Sequence, residues 1–180
     1  MPLPSLTLFA REDSASPERA KLIARLQSIG LLGQQLDSSL FLSGTELFQH
    51  ISFLGCAPSI PLTPGESDQF LRIQVPKLER AHLFTADNTR VPVCNTCRTP
   101  FAAWQSQLKG GAHILHCSNC RERTSVMDLK LGKRACYSRQ IIQVAPVFEG
   151  EAVPSQNLLN ELERCFDTPF AYAYTRIEIS

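Results

Sequence analysis

Cys94-Asn95-Thr96-Cys97 and, after nineteen intervening residues, Cys117-Ser118-Asn119-Cys120 form the stretch from which the rest of the chain is read. A Cys-x-x-Cys turn puts two sulfurs on one side of a tight loop and leaves backbone N–H groups free to hydrogen-bond the thiolates. Two such loops close a tetrahedron around one ion, the geometry zinc takes with four thiolates. Zinc therefore ranks ahead of iron, of an iron–sulfur cluster and of a redox pair as the expected occupant. Hydrolytic zinc keeps an open coordination position, usually beside three protein ligands, whereas Cys94, Cys97, Cys117 and Cys120 fill the sphere. His113 and His116 read as packing or outer residues on an alternating strand. No His-x-Glu precedes a Pro-Cys-x-x-Cys, which removes a zinc-deaminase reading.

Around these knuckles, residues 91–126 resemble a zinc ribbon of rubredoxin-like knuckle type. Residues 90–93 and 112–116 would be the strands before each knuckle, with Gly110-Gly111 at the tip of a hairpin. The resemblance implies a small zinc-held module of the kind found in transcription and translation factors, nucleic-acid enzymes and protein-docking modules, and selects none of these uses. Many such knuckles carry Gly after the second Cys, where φ is often positive. Here that position is Arg98 and again Arg121, a departure that counts against a rubredoxin-like iron site more than against zinc.

The chain has seven cysteines, an odd number, and Met1-Pro2-Leu3-Pro4-Ser5-Leu6 has neither the basic nor the apolar region of a secretory signal. Reduced thiols and a cytoplasmic location are expected. Cys56 and Cys165 read as small buried groups, while Cys136, set in the basic run from Lys130 to Arg139, is a candidate for a lowered pKa. No apolar run approaches the roughly 20 residues of a membrane span.

Charge is unevenly placed. The net charge is +1, yet residues 87–140 hold nine Lys or Arg against three acids, and the remainder is −5. A basic module suits an acidic partner, either nucleic acid or a protein surface. The candidate contacts are Arg98, Trp104, Lys109, Arg121, Arg123, Lys133 and Arg134. Trp104 and Phe101 have two readings, a stacking platform for bases or the minimal core of the module, and the core reading is preferred because so small a unit has few other large side chains to bury.

The flanks predict an α+β scaffold. A strand is expected near residues 6–10. A helix capped by Ser16-Pro17-Glu18 should follow, with Leu22, Ile23, Leu26 and Ile29 inward and Gly30 as its stop. Leu40-Phe41-Leu42 predicts a strand. Ser43-Gly44-Thr45-Glu46 then offers a capping box to a second helix carrying Leu47, Phe48, Ile51 and Leu54. A Pro-rich loop over 57–69 leads to a strand near 70–75. Beyond the cysteines come a strand over 140–147, a turn into a partner near Ala152, a helix capped by Ser155 with Leu158, Leu159, Leu162 and Phe166 inward, and a last strand from 170. This order suggests a ferredoxin-like βαβ-type sheet with amphipathic helices, interrupted by a small zinc ribbon. The expected division is residues 1–88 and 129–180 for the scaffold and 89–128 for the ribbon.

Phosphate-loop, dinucleotide-binding, nucleophile-elbow and zinc-protease signatures are all absent, and His50 and His82 have no partner signature. Two functions are carried forward. One is a zinc-binding protein whose structural zinc holds a basic ribbon for nucleic acid or protein. The alternative is an enzyme with its active site in the scaffold or at its junction with the ribbon, where the loop over 57–65 would be a lid or a binding loop. Use of the ribbon as an assembly device in an oligomer is a third reading.

Overall fold

The computed structural model describes residues 2–12, 17–55, 60–65 and 69–177. The chain is mixed α/β and strand-rich. In order it forms β1 (Leu3–Ala10), α1 (Arg19–Ser28), β2 (Leu32–Gln35), β3 (Leu40–Ser43), α2 (Leu47–His50), β4 (Ile51–Phe53), β5 (Arg72–Gln74) and β6 (His82–Thr85). There follow α3 (Trp104–Lys109), β7 (Ile114–His116), β8 (Arg123–Ser125), β9 (Ala135–Ser138), β10 (Ile141–Ala145), β11 (Ala152–Pro154), α4 (Gln156–Phe166) and β12 (Phe170–Ile177). No helix among the described residues is long and apolar enough to cross a membrane.

Six strands make the main sheet in the order β12-β1-β10-β5-β3-β2, every neighbouring pair antiparallel. Its two faces differ because side chains alternate along each strand. Leu6 and Leu8 of β1 stand level with Val144 and Ile142, Val144 with Ile73, and Ile73 with Phe41. This apolar face forms one core with Leu22 and Leu26 of α1 and Leu158, Leu162 and Phe166 of α4, each such side chain contributing about 1.5–3 kcal/mol on burial. The other face carries Ser5, Thr7, Gln143 and Thr175, all buried. The Thr7 and Thr175 hydroxyls are 2.8 Å apart, Ser5 Oγ lies 3.2 Å from both, and Gln143 Nε2 donates to Thr7 at 3.3 Å. Such a network is tolerable in the interior only because its members satisfy one another.

A separate two-stranded ribbon, β6 paired with β9, packs against β12 and β1. Leu83, Ala135 and Tyr137 on one side of it join a second apolar core with Phe101, Trp104, Leu108, Leu115 and Val126. His82, Phe84, Cys136 and Ser138 occupy the opposite side.

Helix α4 forms as its sequence predicts. The Ser155 hydroxyl accepts from the Leu158 N–H at 3.2 Å, and Asp167 ends the helix at φ 52°, two residues before Pro169. Helix α1 also carries the expected inward residues, whereas Ser16, its expected cap, lies outside the described residues and Glu18 stands at the N-cap. The two helices are joined at their surface by Arg25 and Glu161 at 2.5 Å, and the guanidinium holds the Glu161 carboxyl below the ordinary carboxylate range.

The second expected helix is shorter than its apolar spacing implies. It stops after one turn at His50, Glu46 rather than Ser43 occupies the N-cap, and no side chain caps it. Ile51 instead opens β4, which pairs with β11 through Ile51 and Pro154. Leu47 and Ile51 are both buried, as a helix would have them, but Phe48 and Leu54 are exposed; backbone pairing with β11 outweighs the local periodicity. Strand β2 has no counterpart among the expectations. Its hairpin with β3 is set by Asp37, whose carboxylate accepts from the N–H groups of Ser39 and Leu40 at 2.7 and 2.9 Å, an Asx turn.

At the end of β3 the chain passes so close to the end of α1 that a Cβ on Gly44 would stand 2.1 Å from the Gly30 carbonyl oxygen. Gly44→Ala is therefore expected to destabilise the protein by about 1–3 kcal/mol, as overpacking against backbone does. A urea midpoint equal to that of the wild type would contradict this contact.

Candidate metal centre

The two knuckles are built alike. Cys94 N–H donates to Thr99 C=O and Cys117 N–H to Glu122 C=O, both at 2.9 Å; Arg98 N–H donates to Cys94 C=O and Arg121 N–H to Cys117 C=O, both at 3.0 Å. This pattern needs a left-handed residue after the second Cys. Arg98 and Arg121 supply it with φ of 64° and 62°. The conformation expected of glycine is thus present although the residue is arginine. The second knuckle sits on the β7–β8 hairpin, and the first on a single bridge between Val93 and Pro100.

The four sulfurs converge, all lying within 4.8 Å of one another. Cys94 and Cys120 are 3.7 Å apart and Cys97 and Cys117 are 3.5 Å apart. A tetrahedral ion bound at about 2.3 Å to each thiolate separates its sulfurs by roughly 3.8 Å, so the donor set fits zinc with little adjustment. A hydrogen bond with the Thr99 hydroxyl, 3.2 Å away, then the Thr99 backbone N–H, pull the Cys97 thiol down to about 5. The Cys97 backbone N–H likewise lowers Cys94. The Glu122 N–H lowers Cys120, but burial and the crowding sulfurs of Cys97, Cys117 and Cys94 outweigh it and push that thiol up to about 12. Four thiolates this close repel one another, and a divalent cation between them removes the conflict.

Among the described residues no carboxylate or histidine joins the cluster. His113 makes a 3.3 Å hydrogen bond with the Tyr137 hydroxyl, and His116 is exposed. With four Cys as its donors, a bound ion would be closed off from substrate. Thr99 and Asn119, whose side chains both hydrogen-bond the Cys97 sulfur, are site residues that the sequence reading missed; their signals are a hydroxyl two positions after the second Cys and an amide inside the second knuckle.

Between the knuckles the expected hairpin is not formed. Residues 104–109 are α3, and Gly110 and Gly111 end it, with Gly111 at φ 90° and Ala112 N–H returning to Gln107 C=O at 3.0 Å. Trp104 and Leu108, four apart, form the buried side of this helix, and Phe101 packs beside them from the turn ahead of the left-handed Ala103 (φ 53°). The expected strand over 90–93 is likewise reduced to the one bridge at Val93.

Trp104 is 3% exposed within the second core, so its ring is not available to stack a base. Arg98, Lys109, Arg121, Arg123 and Lys133 are exposed. The Lys133 ammonium lies 3.4 Å over the Tyr172 ring. Arg134 is committed to Glu149, its Nε 3.0 and 2.9 Å from the two carboxylate oxygens. Cys136 is buried, and desolvation pushes its thiol up, the reverse of the lowered pKa that its basic sequence context suggests. Cys165 is half-buried with its thiol also raised by burial; Cys56 lies outside the described residues. Compared with known proteins, the chain matches no family model, no curated protein and no solved structure.

Proposed function

We propose that this is a zinc-binding protein in which Cys94, Cys97, Cys117 and Cys120 hold one structural zinc, and that the ribbon-like module so formed presents a basic face to nucleic acid. The same proposal takes the central strands β12-β1-β10-β5, with α1 and α4 on one face, as a ferredoxin-like scaffold whose order is 4-1-3-2. It also takes the compartment to be one that keeps thiols reduced, such as the cytoplasm.

The observation that carries the reading is the pair of arginines at the two left-handed positions. A non-glycine residue there costs about 1–2 kcal/mol, and backbone strain of this kind, seen twice at equivalent places, points to a use for the side chain. Both guanidinium groups are exposed beside the metal. With Lys109, Arg123 and Lys130 they are the exposed cations of residues 98–130, and among the described residues no carboxylate lies within ion-pair distance of any of them. Unneutralised arginines suit phosphates, which they bind bidentately.

The double variant Arg98→Gly/Arg121→Gly separates structure from recognition. It is expected to keep one zinc per chain with a melting temperature equal to or above the wild type. Its affinity for nucleic acid should fall, and the slope of log affinity against log salt should shrink by about 1.4–1.8, for two phosphate contacts. Fluorescence titration of single- and double-stranded RNA and DNA between 50 and 200 mM salt, ranges where such contacts differ by orders of magnitude, is the measurement. Wild-type protein that binds none of them would transfer the face to an acidic protein partner, and an undiminished double variant would remove the arginines' role.

A further inference from the structure

Away from the metal, a cleft of about 440 Å³ opens between β6 and the polar face of the main sheet. Its floor holds Gln74 and Gln143, directly opposite each other on β5 and β10. Gln143 is 3% exposed and anchored through Nε2 to Thr7. Gln74 Oε1 is shut off from solvent and, among the described residues, has no hydrogen-bond donor. The wall contains the rings of His82 and Phe84, neighbours on one side of β6 with centroids 6.5 Å apart. Lys109, at the end of α3, also lines the cleft.

Each group recognises a different part of one kind of molecule. Glutamine recognises base edges through its carboxamide, as it does adenine; with Oε1 of Gln74 shut off from solvent, the amide group left to face a base acceptor is its Nε2 donor. The aromatic wall offers a surface for a ring face, and the ammonium of Lys109 suits a phosphate. A volume of this size is within the range of small-molecule sites. We propose that this cleft binds a nucleobase carrying a phosphate, either a free nucleoside monophosphate or an unpaired residue of a strand held on the basic face. The second source rests on the nucleic-acid reading above; the first does not.

The test uses zinc-loaded full chain, the four ribonucleoside monophosphates and single-stranded homo-oligonucleotides, read by calorimetry and amide chemical shifts. At least one monophosphate is expected to bind, shifting the signals of β5, β6 and β10. Gln74→Leu, which removes an oxygen that no protein group satisfies, should leave the fold intact and weaken binding roughly 3- to 10-fold, the value of one hydrogen bond. Lys109→Glu should weaken it as well. Arg98→Gly/Arg121→Gly should weaken oligonucleotide binding and leave monophosphate binding unchanged. If oligonucleotides compete with the monophosphate, a strand residue uses the cleft; if they bind without competing, the cleft serves the free nucleotide. Absence of monophosphate binding, or equal affinity in Gln74→Leu, overturns the proposal even where oligonucleotides still bind. Monophosphate binding without oligonucleotide binding overturns only the reading of the basic face.

Discussion

Cys94→Ser is expected to abolish zinc binding and unfold the module while leaving the six-stranded sheet in place. The serine oxygen is neutral at pH 7 and is a poor substitute for a thiolate, so the tetrahedron loses a corner. Metal binding and folding of such a unit are one equilibrium, worth about 10–16 kcal/mol in isolated zinc-finger peptides. The effect should stay local because the two apolar cores share no residue: Leu6, Leu8, Phe41, Leu158 and Leu162 belong to one, Phe101, Trp104, Leu108 and Leu115 to the other. Amide spectra should show residues 94–129 collapsing toward random-coil positions, with β1, β10 and β12 retained. Metal analysis of the wild type should give one zinc per chain, released by chelator with the same spectral change. A metal-free wild type that keeps a folded module would refute the site, and a variant that loses the sheet as well would refute the separation of the cores.

The second large effect is expected at Trp104→Ala. Truncating a buried aromatic costs about 3–5 kcal/mol, a heavy loss for a module with so few large side chains. Because folding and zinc binding are linked, that cost passes to the metal as a loss of roughly two to four orders of magnitude in apparent affinity, measurable by chelator competition. Trp104→Phe should recover a substantial part. Fully zinc-loaded Trp104→Phe should bind nucleic acid as the wild type does, since the ring lies in the core. A Phe variant with normal zinc affinity and impaired nucleic-acid binding would return Trp104 to the contact surface.

Sequence legibility divides along a physical line. The cysteine cluster was legible because Cys-x-x-Cys is a local geometric unit, whose two copies need only be brought together. Helix α4 was legible for the same reason: Ser155, its inward leucines and Pro169 lie within fifteen residues, and their local preferences agree with the tertiary environment. Residues 47–54 show the opposite case. Their spacing satisfies a helix, and only the distant strand at Ala152–Pro154 makes 51–53 a strand. The helix between the knuckles was hidden differently. Its buried pair was present in Trp104 and Leu108, but Gly110-Gly111 reads equally as a hairpin tip or a helix end. The strand order of the sheet depends on pairings between residues more than a hundred positions apart, such as Leu6 with Tyr174, and no local pattern encodes these.

The β6–β9 ribbon sets where this chain can be cut. Its Leu83 and Tyr137 complete the core above it, and it rests on the strands below; the scaffold thus supplies the module's foundation. A fragment trimmed to residues 89–128 would carry all four clustered cysteines and leave behind Leu83, Ala135 and Tyr137. A transplantable cassette must start before Ala81 and finish after Ser138, and a chimera built on the cysteines alone would carry a metal site without its footing.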